Sequence, residues 1–183
     1  MPRGHALCYA HGMMYYTIQV RTKGEEKFIQ TFTSRHPDTP LSFHFPRRRL
    51  TIRRMGKLYT ELAPIFPGYI FIQTETAFSP PLYWELRKTE GFYRFLRSNS
   101  DPTPLSGKDL ETVLHFIRLG PIAEKSIVYF DEQDRIVITE GPLKGLEGSI
   151  VKVDKRKGRA KVKLDLYNDS FTIDLAFTVI TRA

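Results

Sequence analysis

The pattern of the chain changes character at Gly120-Pro121. Before it, apolar residues recur at both helical and strand spacings. Beyond about Phe130 they recur only in short, β-branched runs separated by glycine turns. Such a break predicts two small domains, one mixed and one all-β, and 183 residues suffice to give each a core. The expected division is an N-terminal extension at 1–12, a mixed domain at 13–119, a linker at 120–130 and a barrel at 131–183. The fold class is α+β.

In the mixed domain, Met14 to Val20 reads as an aromatic, β-branched strand. Gly24-Glu25-Glu26 then opens a short helix with Phe28, Ile29 and Phe32 on its apolar side, closed by Pro37 and Pro40. From Phe45 to Pro67 apolar and basic residues alternate around Met55-Gly56-Lys57, which predicts an exposed, charged β-hairpin. Gly68 to Gln73 reads as a buried strand. A helix is expected after Pro81, carrying Leu82, Tyr83 and Leu86, and a further strand at Phe92 to Leu96. Ser106 and Asp109 make a weak capping box ahead of a helix with Leu110, Val113, Leu114 and Ile117 on one face. Together these elements predict one sheet with helices packed on it.

In the all-β part, Arg135 to Thr139, Ser149 to Asp154, Arg159 to Leu166 and Phe171 to Leu175 are expected strands of a small barrel without helices. Lys152, Lys155, Arg156, Lys157, Arg159, Lys161 and Lys163 lie in a stretch whose only acid is Asp154. Alternation predicts a hairpin with Arg159, Lys161 and Lys163 on one face, Ala160, Val162 and Leu164 in the core, and Lys155 to Gly158 at the tip. A cationic stripe of this kind can track a phosphate backbone by counterion release, although lysines also protect exposed strand edges. A second basic cluster, Arg47, Arg48, Arg49, Arg53, Arg54 and Lys57, contains no acid. It fits a nucleic-acid arm or a solubilising surface equally well.

Composition narrows the function classes. A net charge of +8 and a pI near 9.6 favour a polyanionic partner, nucleic acid first. One cysteine, Cys8, excludes an intramolecular disulfide and a four-cysteine zinc site, and fits a reducing, cytoplasmic setting. No apolar run approaches the ~20 residues needed to span a bilayer, and residues 1–12 lack a secretory apolar stretch, so no membrane association is expected. The histidines His5, His11, His36, His44 and His115 form no metal-ligand spacing, and Ser34, His36 and Asp38 beside Pro37 read as a loop before they read as a triad. Gly107-Lys108 lacks the rest of a phosphate-binding loop. Trp84 reads as packing. The chain is therefore not expected to be an enzyme or to hold a cofactor or metal.

Two strings match a known family. Gly141-Pro142-Leu143-Lys144-Gly145-Leu146-Glu147-Gly148-Ser149-Ile150-Val151-Lys152-Val153-Asp154 resembles a KOW motif, and Phe66-Pro67-Gly68-Tyr69-Ile70-Phe71-Ile72 resembles the FPGY signature of the NusG N-terminal (NGN) domain. Trp84 to Phe95, followed by Pro102 to Ser106, is similar to the family's stretch from its second helix into its last. With both motifs in order, the resemblance extends from Met14 to Thr181.

The resemblance implies a NusG-type elongation factor. Its NGN α/β sandwich, an antiparallel sheet with flanking helices, would grip the β′ clamp helices of RNA polymerase in an apolar groove, and an SH3-like KOW barrel would follow. The family's groove maps onto Tyr16, Ile18, Phe66, Tyr69, Phe71, Phe92 and Phe95. Positions that face non-template DNA in specialised members map onto Arg21, Lys23 and Lys27. Housekeeping members contact Rho and ribosomal protein S10 through aromatic residues where this chain has Leu143, Leu146 and Tyr167. Two of these three are aliphatic, which weakens Rho more than S10. With the basic hairpin and Lys144 of the KOW string, this departure is similar to the LoaP subfamily, monomeric antiterminators whose KOW domain binds an RNA hairpin in a leader. The alternatives are a housekeeping NusG coupled to Rho or S10 and a structural KOW-type RNA-binding protein, which would need no polymerase groove.

Overall fold

The computed structural model describes residues 12–96, 98–167 and 169–180. The expected N-terminal extension, with Cys8, His5 and His11, lies almost wholly outside them. The chain divides into two compact units, Met1–Phe45 with Pro67–Glu111, and Pro46–Phe66 with Thr112–Ala183.

The first unit is built on a four-stranded sheet ordered β2-β5-β1-β6, from β1 (Met14–Val20), β2 (Ser42–His44), β5 (Tyr69–Thr74) and β6 (Phe92–Phe95). β5 and β6 both run antiparallel to β1, which places Tyr16 opposite Ile72 and Ile18 opposite both Ile70 and Phe95. Helix α1 (Glu25–Arg35) has Glu25 and Glu26 in its first turn and Arg35 in its last, the arrangement the helix dipole favours. Its Phe28 and Phe32, four residues apart, are buried with Tyr16, Ile18, Val20, Ile70, Ile72, Leu86 and Phe95 in one cluster. Helix α2 (Pro80–Lys88) starts on its prolines, two residues earlier than expected, where their missing N–H groups cost nothing. Strand β2 was not anticipated. Its three residues are too few to show a period.

The second unit holds a five-stranded sheet, β10-β11-β12-β8-β9, and a three-stranded one, β4-β3-β7. Its strands are β3 (Arg47–Arg54), β4 (Lys57–Pro64), β7 (Ile122–Ala123), β8 (Ser126–Phe130), β9 (Ile136–Glu140), β10 (Ile150–Asp154), β11 (Arg159–Leu166) and β12 (Asp169–Val179). The division between units falls within helix α3 (Gly107–Ile117), the amphipathic helix that the spacing predicts.

Two expectations change here. The expected linker at 120–130 contains strands: β7 pairs parallel with β3, and β8 pairs with both β9 and β12. Gly120-Pro121 follows α3, the remote parallel pairing of β7 leaves no local turn signal, and the Asp131 to Arg135 turn between β8 and β9 carries no glycine or proline, so these strands read as connection. The β3–β4 hairpin forms as expected, with Arg53 opposite Leu58. It is not a free arm, because β3 also pairs with β7 and packs on β12, which buries Leu50. β4 alone matches the exposed reading, from Lys57 to Leu62.

Candidate functional site

The seven residues expected to form an apolar groove are divided between the two units. Phe66 belongs to the second unit and the other six to the first. Strand alternation divides those six again. Tyr16, Ile18 and Phe95 share the sheet face that packs on α1 and α2, and Phe92 is packed against the same cluster. Tyr69 and Phe71 lie opposite Gln19 and Thr17, on the other face. Tyr16, Ile18, Phe66, Tyr69, Phe71 and Phe95 are all buried, and only Phe92 keeps part of its surface.

Neighbouring rings account for much of this burial. Phe78 lies against both Tyr16 and Phe95, at centroid distances of 4.3 and 5.5 Å, and Tyr83 stacks on Phe95 at 5.3 Å. Within the second unit Phe66 meets Phe116 and Phe171 edge-on, at 5.9 and 5.5 Å. Rings contributed by distant segments cover Tyr16, Phe66 and Phe95.

The basic hairpin follows its expectation closely. Ala160, Val162 and Leu164 are buried, Lys161 and Lys163 are exposed, and Lys155 to Gly158 form the turn between β10 and β11. Asp154 accepts the Lys157 backbone N–H at 3.0 Å, which closes the tip. That bond, reinforced by the charges of Lys157, Arg156 and Lys152, holds the Asp154 carboxyl below its ordinary pKa.

The stripe is not uniformly free, however. The β11–β12 register sets Lys161 opposite Asp174, whose carboxylate lies 3.9 Å from Lys161 Nζ and 4.0 Å from Arg159 Nη1. Lys155 pairs with Asp134 and sits 3.9 Å above the Phe130 ring. Lys152, Arg156 and Lys163 have no ion pair among the described residues, and Lys157 has only a loose one, 3.8 Å from Asp154. The distant acids Asp134 and Asp174 are invisible to a reading of consecutive residues.

Two depressions flank this hairpin. The smaller, of 200 Å³, is lined by Lys152, Lys157, Arg159, Lys161 and two carboxylates, Asp154 and Asp174. The larger, of 590 Å³, lies between the tip and the β3–β4 hairpin, lined by Thr51, Ile52, Arg53, Leu58, Arg156, Lys157 and Arg159. Arg159 ties the two hairpins together by donating to the Thr51 carbonyl oxygen. In the second basic cluster, Arg49 pairs with Glu124 at 2.8 Å and Arg54 with Glu61 at 3.5 Å. Arg48 donates to the Pro64 carbonyl, and burial lowers its pKa against the pull of Asp174. Arg53 is exposed and donates to the Gly56 carbonyl at 3.2 Å.

Among the other candidates, Arg21 and Lys23 are exposed, and Lys23 adopts a left-handed backbone with φ of 66°. Lys27 pairs with Glu90 at 2.9 Å. His36 packs on Phe32 and lies 3.6 Å from Glu85. Trp84 departs from its packing role: half of it is exposed, and Arg87 lies 4.9 Å over its ring.

A family model described as "Transcription termination factor nusG" matches residues 13–114, and a KOW motif model matches 132–164. The chain belongs to the NusG family. It is 28% identical over 140 residues to the transcription termination/antitermination protein NusG of Bacillus subtilis, covering 75% of this chain and 77% of that protein. The Thermus thermophilus NusG is also 28% identical, over 137 residues, covering 72% and 74%. A Thermotoga maritima NusG structure, solved in a study of domain interaction, shares the fold with a TM-score of 0.58 at 20% identity, over 92% of this chain and 96% of that one. NusG-family proteins are transcription factors that interact with RNA polymerase, not enzymes. In this NusG-family chain no helix among the described residues is long and apolar enough to cross a membrane.

Both signature strings of this NusG-family chain have a physical reason. Gly68 has a φ of +82°, and a Cβ there would meet Thr22 Oγ1 at 3.1 Å and the Val20 carbonyl at 3.3 Å. Its N–H is accepted by the buried Glu25 carboxylate at 2.7 Å, so the FPGY turn is tied to the start of α1. Gly141 opens the KOW string with a φ of +93°, and a Cβ there would lie 2.6 Å from Ser126 Cα. Ser126 Oγ accepts the Leu143 N–H at 2.9 Å. Leu143 is itself buried and so presents nothing to a partner, whereas Leu146 and Tyr167 are half-buried.

Proposed function

We propose that this chain is a specialised NusG-type elongation factor, of the kind the LoaP subfamily represents. It docks on the polymerase clamp helices through the NGN domain, suppresses pausing and promotes antitermination, and its KOW domain binds a structured RNA leader. The observation that carries this reading is the β10–β11 hairpin, which keeps Lys152, Arg156 and Lys163 exposed and without an ion pair among the described residues, on a chain of this family. Burial of Leu143 supports it too, because it removes one of the three positions a housekeeping member would use for Rho or S10.

For the polymerase, the helix-packed sheet face is already occupied by the core. Docking would therefore use the opposite face, with Tyr69 and Phe71, and requires that face to be uncovered. Differential binding to the closed clamp would disfavour paused states without covalent chemistry. Arg21 and Lys23, exposed just beyond β1, would meet non-template DNA.

Run-off transcription through a terminator, on templates with different leaders, tests the proposal. Read-through that rises only with a particular structured leader supports it. Read-through that is indifferent to the leader, or termination that increases with Rho, selects the housekeeping reading.

A further inference from the structure

The 590 Å³ depression between the two hairpins differs from its neighbour in one decisive respect. Of the described residues that line it, Thr51, Ile52, Arg53 and Leu58 come from the β3–β4 hairpin and Arg156, Lys157 and Arg159 from the KOW hairpin, and none is acidic. In the smaller depression Asp154 and Asp174 offset half of the charge of Lys152, Lys157, Arg159 and Lys161. A phosphate entering the smaller one meets two carboxylates, whereas one entering the larger meets Arg53, Arg156 and Lys157.

We propose that this groove binds RNA, and that the β3–β4 hairpin supplies half of the site. The inference rests on the KOW–RNA reading above and extends it to residues outside the KOW domain. Antiparallel register puts Arg53 directly opposite Leu58, so both project from the same face of the hairpin. Leu58 is 71% exposed, an apolar surface beside the guanidinium of Arg53. Arginines can take the phosphates while Leu58 gives an unpaired base an apolar face. This combination suits the loop of an RNA hairpin better than a duplex, whose base edges lie in a deep groove. The volume falls in the range of roughly 300–1,000 Å³ that accommodates small-molecule-sized groups. Arg159, held by Thr51 and close to Asp174, positions the two hairpins and is not itself the phosphate ligand.

The test is fluorescence anisotropy of a labelled RNA stem-loop with the full chain at several salt concentrations. The variants are Arg53→Ala, Leu58→Ser, Arg54→Ala and the double Arg156→Ala/Lys157→Ala. Loss of one phosphate contact should lower the salt slope by about 0.7–0.9. Arg53→Ala is expected to weaken binding several-fold and to lower the slope by that amount. Leu58→Ser should weaken binding with the slope unchanged. Arg54 projects from the opposite face and pairs with Glu61, so Arg54→Ala should leave affinity and slope nearly as they were. Equal effects of Arg53→Ala and Arg54→Ala would reduce the result to net charge and overturn the site. Silence of Arg53→Ala and Leu58→Ser, with a clear loss in the double variant, would overturn the shared groove and leave RNA binding to the KOW domain alone. Silence of all four would overturn both.

Discussion

The four-stranded sheet and the β10–β11 hairpin were both read as binding surfaces, and they treat their candidate residues in opposite ways. In the sheet, Tyr16, Ile18, Phe71 and Phe95 are buried. On the hairpin, Lys161, Lys163, Arg156 and Lys157 stay exposed. The physical reason is asymmetric. Covering a large apolar side chain is favourable by about 1.5–3 kcal/mol, so any neighbouring segment that can cover it will. Covering an ammonium group is costly unless it gains a partner, so lysines remain at the surface in whatever fold the chain adopts. An aromatic residue in a sequence is therefore weak evidence for a binding surface, and a run of lysines on alternating strand positions is stronger.

The sharpest way to break this comparison is in the sheet. Phe95→Ala removes a ring from the helix-packed core and should destabilise the fold by about 3–5 kcal/mol, read from the urea midpoint. Capture by isolated clamp helices separates structure from docking. At a temperature where both variants remain folded, Phe71→Ala should lose capture and Phe95→Ala should retain it. The reverse result would move the docking face to the other side of the sheet.

A smaller effect is expected where the KOW string closes on β8. Gly141→Ala combines a left-handed backbone with a Cβ 2.6 Å from Ser126 Cα, and strain at such a position costs about 1–3 kcal/mol. Thermal unfolding of the variant checks it, and an unchanged midpoint would mean that the turn can relax away from Ser126.

On the hairpin, Arg156→Ala/Lys157→Ala should flatten the salt dependence of RNA binding by about 1.4–1.8, twice the contribution of one phosphate contact. Lys155→Ala should change the slope less, because Lys155 is engaged with Asp134 and Phe130. A slope for Lys155→Ala equal to that of Arg156→Ala alone would show that those internal contacts give way to RNA.

The smallest effect concerns pH. The Asp154 carboxyl is held below its ordinary pKa chiefly by the Lys157 N–H, so its contribution to the tip is fully present above the unfolded value of about 3.9. That contribution is lost as pH falls through the folded value. Carboxyl titration by NMR should place Asp154 below the ordinary aspartate value, and Lys157 amide protection should fall with it at the acid end. An Asp154 that titrates normally would remove the capping role.

Much of the architecture was legible because it is written in local periods. Alternation in β11 gave the buried Ala160, Val162 and Leu164. The spacing of Leu110, Val113, Leu114 and Ile117 gave α3, and the glycines of the KOW string marked a turn, which Gly141 makes with a φ of +93°. Strand β7 was missed because its partner β3 is remote and parallel, with no turn between them to announce the pairing, and β8 because the turn from Asp131 to Arg135 that joins it to β9 carries no glycine or proline.

The amino-acid order by itself determined which residues could be charged at the surface, where the chain must turn, and which family the two motifs point to, since each depends on neighbours within a few positions. Only the tertiary structure decided which aromatic rings were covered, which lysines met Asp134 or Asp174, and that Arg53 and Leu58 would line a groove with the KOW tip. Those outcomes are set by contacts between distant segments, and an apolar ring or a cation cannot signal in advance which segment will reach it.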